Sequence, residues 1–134
     1  MYRLFTLTEA TRLLPVVGEH LGELQAAAAD AAHLRERLSA LPERSLEAAH
    51  TNAEIGFLLQ VIHTNKAELD RLGVQIRDVR EGQVEFPSQL GAEVVCLTWE
   101  KGQREITHYR RLSGDTEARP LPATAGRATS DASA

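Results

Sequence analysis

The sequence predicts an α+β protein, a long antiparallel helical hairpin followed by a small four-stranded antiparallel sheet. Three observations carry that expectation. Apolar residues recur at intervals of three and four through residues 7–41 and again through about 43–72, the spacing of a helix seam. Pro42 stands between the two series, where a residue without an amide hydrogen stops a helix and lets the chain turn. After Gly73 the period changes to alternation in Val74–Val79 and Gln83–Phe86, followed by Ala92–Trp99, β-branched and apolar on both faces, and by Arg104–Leu112, which together read as four short strands.

The first helix has a marked start. Thr6-Leu7-Thr8-Glu9 fits a capping box, with Thr6 as N-cap and Glu9 reaching back to its amide. The seam then follows Leu13, Val17, Leu24, Ala27, Ala31, Leu34, Leu38 and Leu41, with His20 completing its alternation of four and three. Pro15 either kinks this helix or divides a short helix over 7–14 from the long one. The second helix carries Ala48, Ile55, Leu58, Ile62, Leu69 and Leu72, with Asn65 in the one polar slot. Gly73 is placed to end it in the left-handed conformation. Each helix would be ~45 Å long.

The segment Ile55–Ile62 is apolar nearly all the way round, and a helix apolar on several sides is buried on several sides. Heptad phase assigns Ile55, Leu58 and Ile62 to the first helix. Phe57 and Val61 are left for the sheet or for a second subunit, so the expected assembly is a homodimer joined through helix two.

In the second half, Arg80-Glu81-Gly82 and Glu100-Lys101-Gly102-Gln103 read as turns, and Pro87 as the end of its strand. The expected organisation is one domain over 1–112, with the hairpin at 7–72 and the sheet at 74–112. Residues 113–134 hold Leu121 as their only large aliphatic side chain, too little apolar surface to offset the entropy of ordering, so a mostly disordered tail is expected there.

Composition narrows the function classes. A net charge of −4 offers no general pull toward nucleic acid or an anionic membrane. Only 4% of residues are aromatic, so the core must be built from Leu, Val, Ile and Ala. The single cysteine, Cys96, excludes an internal disulfide and a cysteine-based zinc site. No apolar run approaches the ~20 residues of a membrane helix, and the N-terminus lacks the layout of a signal peptide. A cytoplasmic protein is the expectation, and the abundance of Ala, Arg and Gly hints at a bacterial genome rich in G and C.

Phe5-Thr6-Leu7-Thr8-Glu9-Ala10, then Leu13-Leu14-Pro15, Leu72-Gly73-Val74, Gly82, Phe86-Pro87, Cys96, Trp99 and Gly102 together resemble DUF2203, a bacterial family of small proteins without an assigned function. The resemblance covers roughly residues 4–121. It implies no reaction. The family's last strand has an aromatic-His-Glu run where this chain has Tyr109-Arg110-Arg111, and its Gly-Phe-rich segment ending in Arg-Gln-Pro is matched only by Asp115–Pro120. A site carried over from the resemblance rests on Cys96, Trp99 and Arg119.

Three sets of residues are candidates for chemistry. In a hairpin turning at Leu41–Pro42, His20 faces His63 and His33 faces His50, while Asp30/His33 and Glu47/His50 have the three-residue carboxylate–histidine spacing of di-iron bundles, extended by Glu54. That makes a divalent metal the candidate cofactor. From His20 to His33 the helix turns by about 220°, so both pairs cannot face one seam and a solvated helix face is the simpler reading. Lys101, Arg104, Arg110 and Arg111, beside Trp99 and Tyr109, make the last hairpin basic and aromatic, one way to hold single-stranded nucleic acid. A charged sheet edge explains the same residues more simply. Cys96 sits among Val94, Val95 and Leu97 with no adjacent cation in sequence, and reads as a buried thiol. The chain shows neither a phosphate-binding loop nor a nucleophile elbow. The expected function is therefore that of a non-enzymatic interaction or scaffold protein.

Overall fold

The computed structural model describes residues 3–114 and 117–122. Two helices, α1 (Leu7–Ser39) and α2 (Leu46–Leu72), pack as an antiparallel hairpin. Five strands follow in chain order: β1 (Gln75–Asp78), β2 (Gln83–Leu90), β3 (Glu93–Glu100), β4 (His108–Arg111) and β5 (Arg119–Pro120). They form one antiparallel meander in which each strand pairs with the next. The α+β class is as the sequence predicts, with a fifth strand added.

The predicted caps form. Thr6 Oγ1 accepts from the Glu9 amide at 3.1 Å and Glu9 Oε1 accepts from the Thr6 amide at 2.9 Å, each satisfying a donor the helix leaves open. Hydrogen bonding to the Thr6 amide holds the Glu9 carboxyl below its ordinary range. Pro15 lies inside an unbroken α1. Gly73 ends α2 at φ 89°, and a Cβ there would stand 3.1 Å from Cβ of Arg3. Helix two starts later than predicted because Arg44 takes φ 62°, and Ser45 becomes the cap by accepting from the Ala48 amide.

The main core lies at one end of the hairpin. Ala10, Leu14, Val17 and Leu21 of α1 and Leu69 of α2 meet Phe5, Val84, Phe86, Leu97, Trp99 and Ile106. The N-terminal half of α1 thus buries Leu14 and Leu21, which face the sheet, where the sequence reading placed Leu13 and His20 on the seam. Farther out, Leu24, Ala27 and Ala31 are buried with Ala48, Thr51 and Ile55, and Thr51 turns its hydroxyl back to the Glu47 carbonyl at 2.9 Å. The segment expected to be covered on several sides is covered on one. Ile55 is buried, but Phe57 is 69% exposed and Leu59 42%.

Pro87, predicted to end its strand, sits inside β2 opposite Cys96. Its carbonyl accepts from the Phe5 amide at 2.7 Å, so its ring nitrogen faces the edge that β1 has already left and no ladder bond is lost. The strand predicted from Arg104 is shorter, starting at His108. Trp99 Nε1 donates to the Gln103 carbonyl at 3.1 Å and holds 101–107 as a loop that sends Ile106 into the core. Within the predicted tail, Arg119–Pro120 pairs with Tyr109 and His108. The Leu121 amide donates to Thr107, and its side chain packs partly buried against the core. The rest of that tail, 115–116 and 123–134, lies outside the described residues.

Candidate functional site

Alternation gives the sheet two faces. Val84, Phe86, Leu97 and Trp99 face the helices. Glu85 and Pro87, the paired Thr98 and Cys96, and the further pair His108 and Arg110 fall on the face turned away from them. On that outer face lies the strongest polar arrangement of the molecule.

Glu85 is 4% exposed. Arg110 grips it with two bonds, Nε to Oε2 at 2.7 Å and Nη2 to Oε1 at 2.8 Å, the planar fork-to-fork geometry available only to arginine. Arg77, placed by the irregular register between Ile76 and Asp78, adds Nη1 to Oε2 at 3.1 Å. Burial raises the Glu85 carboxyl, but the hydrogen bonds from Arg110 and Arg77 outweigh it and hold the group below the carboxylate range. Cys96 lies beside this carboxylate. Burial first, and then the Glu85 charge, push its thiol up, so it is kept protonated and is no nucleophile at neutral pH.

Next to this cluster is a pocket of about 420 Å³ bordered by Arg77, Gln83, Thr98, Glu100, His108 and Glu117. Gln83 Nε2 donates to Glu100 Oε1 at 3.1 Å. His108 is the direct cross-strand neighbour of Thr98, and its Nδ1 shares a 2.8 Å hydrogen bond with the Thr107 hydroxyl.

The residues singled out from sequence are spread more widely. Cys96 belongs to the outer face and Trp99 to the core face of the same strand. Arg119 pairs with Tyr109 in β5. His20 Nδ1 meets Asn65 Oδ1 at 2.8 Å rather than His63. The turn spans 40–45 and centres one residue beyond Leu41–Pro42, which moves every cross-hairpin neighbour two places along α2. His63, His50 and Glu47 are exposed. His33 and Glu54 border one groove with Asp30 and Phe57. Among the described residues, no three His, Cys, Asp or Glu side chains stand close enough together to hold a metal ion. Of the four basic residues, Arg110 closes on Glu85, and Arg111 donates to Glu93 Oε2 at 2.7 Å from the opposite face of β4. Lys101 lies against Gly22 of α1, and Arg104 is exposed. They do not form one surface.

Sequence reasoning missed Glu85 and Arg77. Their signal was there in part: a lone carboxylate between Val84 and Phe86, two strands from Arg110 in the meander. The arginines standing where the resembled pattern has His and Glu are thus each engaged with a carboxylate, Arg111 with Glu93 of the neighbouring strand and Arg110, reaching across β3, with Glu85 of β2.

Fold and site define a class, an α+β protein whose helical hairpin carries a small antiparallel sheet with a buried carboxylate–guanidinium cluster on its outer face. A family model described as "Uncharacterized conserved protein (DUF2203)" matches residues 3–121, and the chain belongs to that family. No curated protein and no solved structure matches it. No helix among the described residues is long and apolar enough to cross a membrane.

Proposed function

We propose that the protein is a non-enzymatic, cytoplasmic interaction protein that works as a homodimer joined along α2. The observation that carries this reading is Phe57, 69% exposed in mid-helix, on a stripe with Leu46, 73% exposed, and half-buried Val61. At ~100° per residue these side chains, with His50 and Glu68, fall within one narrow sector of the helix. A two-fold antiparallel pairing that sets Phe57 against Val61 of a second copy also sets His50 against Glu68. The stripe is therefore complementary to itself in shape and polarity, as a two-fold interface requires. An unpaired, buried thiol at Cys96 suits a reducing compartment.

Sedimentation equilibrium on the full chain at micromolar concentration tests the reading. The expected mass is twice that of the 14.7 kDa chain, falling to the single-chain value in Phe57→Asp with helix content unchanged. A wild-type chain that sediments as a monomer overturns it.

A further inference from the structure

We propose that the pocket on the outer sheet face binds a small zwitterion of the amino-acid class, held between Arg77 and Glu100. The site is separate from the α2 stripe, so the proposal stands or falls independently of the dimer.

Charge bookkeeping on the outer face provides the cationic pole. The two-pronged bond from Arg110 neutralises Glu85, so the trio keeps one net positive charge. Arg77 presents that charge. It reaches Glu85 through Nη1 alone, its side chain is 49% exposed, and it borders the pocket. Its Nε and Nη2 remain as donors, side by side in the fixed plane that matches a carboxylate.

The anionic pole is Glu100. Gln83 occupies Oε1 and orients the group, which leaves Oε2 to accept from an ammonium. The register fixes the distance between poles. Glu85 pairs with Thr98 and Gln83 with Glu100, so the poles are offset by two residues along the strands, ~6.6 Å, and by one strand spacing, ~4.8 Å, across them, about 8 Å in all. A molecule bearing an ammonium and a carboxylate on a short carbon frame spans that interval. Thr98 and His108, cross-strand neighbours level with Glu85, supply a hydroxyl and a ring nitrogen beside the cationic pole.

The same charges select against simpler ligands. A phosphate or plain carboxylate drawn to Arg77 meets the Glu100 carboxylate bordering the pocket, and a plain amine drawn to Glu100 meets the guanidinium. Specificity of this kind rests on repulsion as much as attraction. A volume of about 420 Å³ is at the small end of ligand pockets, ~300–1,000 Å³, which fits one small molecule rather than a polymer.

Amide NMR titration of the full chain with a panel of free amino acids, and with propylamine and propionate as single-charge controls, tests the assignment. The expected result is saturable shifts at Thr98, Glu100 and His108 at about 10 mM ligand or below for at least one amino acid, with both controls weaker by about tenfold or more. Arg77→Gln and Glu100→Gln should each weaken binding by about tenfold while leaving Glu85 and Arg110 paired and the rest of the spectrum in place. The proposal is overturned if no amino acid gives saturable shifts at these residues. It is overturned equally if a single-charge control binds as well, or if both variants bind like the wild type.

Discussion

Replacing Glu85 by glutamine removes the one negative charge from a cluster that keeps two guanidinium groups beside it. The Glu85 side chain is 6% exposed and that of Arg110 21%, so the two bonds between them are largely shielded from water. Hydrogen bonds to charged groups are worth ~1.5–3 kcal/mol each. The Arg77 contact, with its side chain 49% exposed, adds ~1 kcal/mol or less because solvent screens it. Glutamine keeps one acceptor but turns an amide donor toward a group that only donates. Arg110 recovers part of its hydration in the variant, so the expected loss is ~2–4 kcal/mol, somewhat below the ~3–5 kcal/mol of a fully buried broken pair. Urea denaturation followed by circular dichroism at pH 7 measures it as a lower midpoint with unchanged slope. The double variant Glu85→Leu/Arg110→Met should regain most of the loss, because it leaves no uncompensated charge in the buried pair. The pH dependence has a definite sign. Because the folded carboxyl is held below its ordinary value of 4.5, its contribution is complete above that pH and drains away as pH falls through the lower folded value. The gap between wild type and Glu85→Gln should therefore shrink on acidification below 4.5. A loss under ~1 kcal/mol at pH 7, or a double variant no better than Glu85→Gln, refutes the reasoning.

Gly73→Ala should cost ~1–2 kcal/mol, because the position is left-handed and the added methyl meets Arg3. Gly91→Ala, also left-handed but with open space around it, should cost less in the same denaturation assay, and equal costs would remove Arg3 from the explanation. At Asn65, buried within the hairpin and bonded to His20 and the Val61 carbonyl, alanine should lose ~1–2 kcal/mol by leaving a half-buried ring nitrogen without its partner. Leucine leaves the same nitrogen unpaired but fills the seam, so it should lose less than alanine in thermal melting, and a leucine variant less stable than the alanine one contradicts this.

Local chemistry made much of the fold legible. Thr6 and Glu9 announce the start of α1, Gly73 announces the end of α2, and the alternation after it announces the sheet. These signals act within a few residues of where they are written. What escaped the sequence depends on residues brought together from afar. Pro87 reads as a strand end until Phe5 is seen to take the edge beside it. Leu121 reads as a stray aliphatic in a polar tail until it is seen packed against the core. Glu85 looks like an ordinary solvated position of an alternating strand; its burial comes from Arg110, 25 residues away, and from an irregularity in β1 that turns Arg77 toward it. The hairpin register failed for a local reason, since a left-handed Arg44 lengthened the turn and shifted His20 from His63 to Asn65.

Phe5 joins the beginning of the chain to the middle of the sheet. Its carbonyl accepts from the Ser88 hydroxyl at 2.6 Å across a sequence separation of 83 residues, and its amide donates to Pro87. On the ribosome the helical hairpin can close early, because both of its helices precede every strand in the chain, but this clasp must wait until β2 has emerged. Loop closure over such a separation is a slow step in folding. Until then the ring of Phe5, 2% exposed in the finished protein, stays in water, and the nascent hairpin keeps open the apolar face that the sheet will cover. The order of synthesis thus gives this protein an interval of vulnerability that ends only when its first residues find their place beside its eighty-eighth.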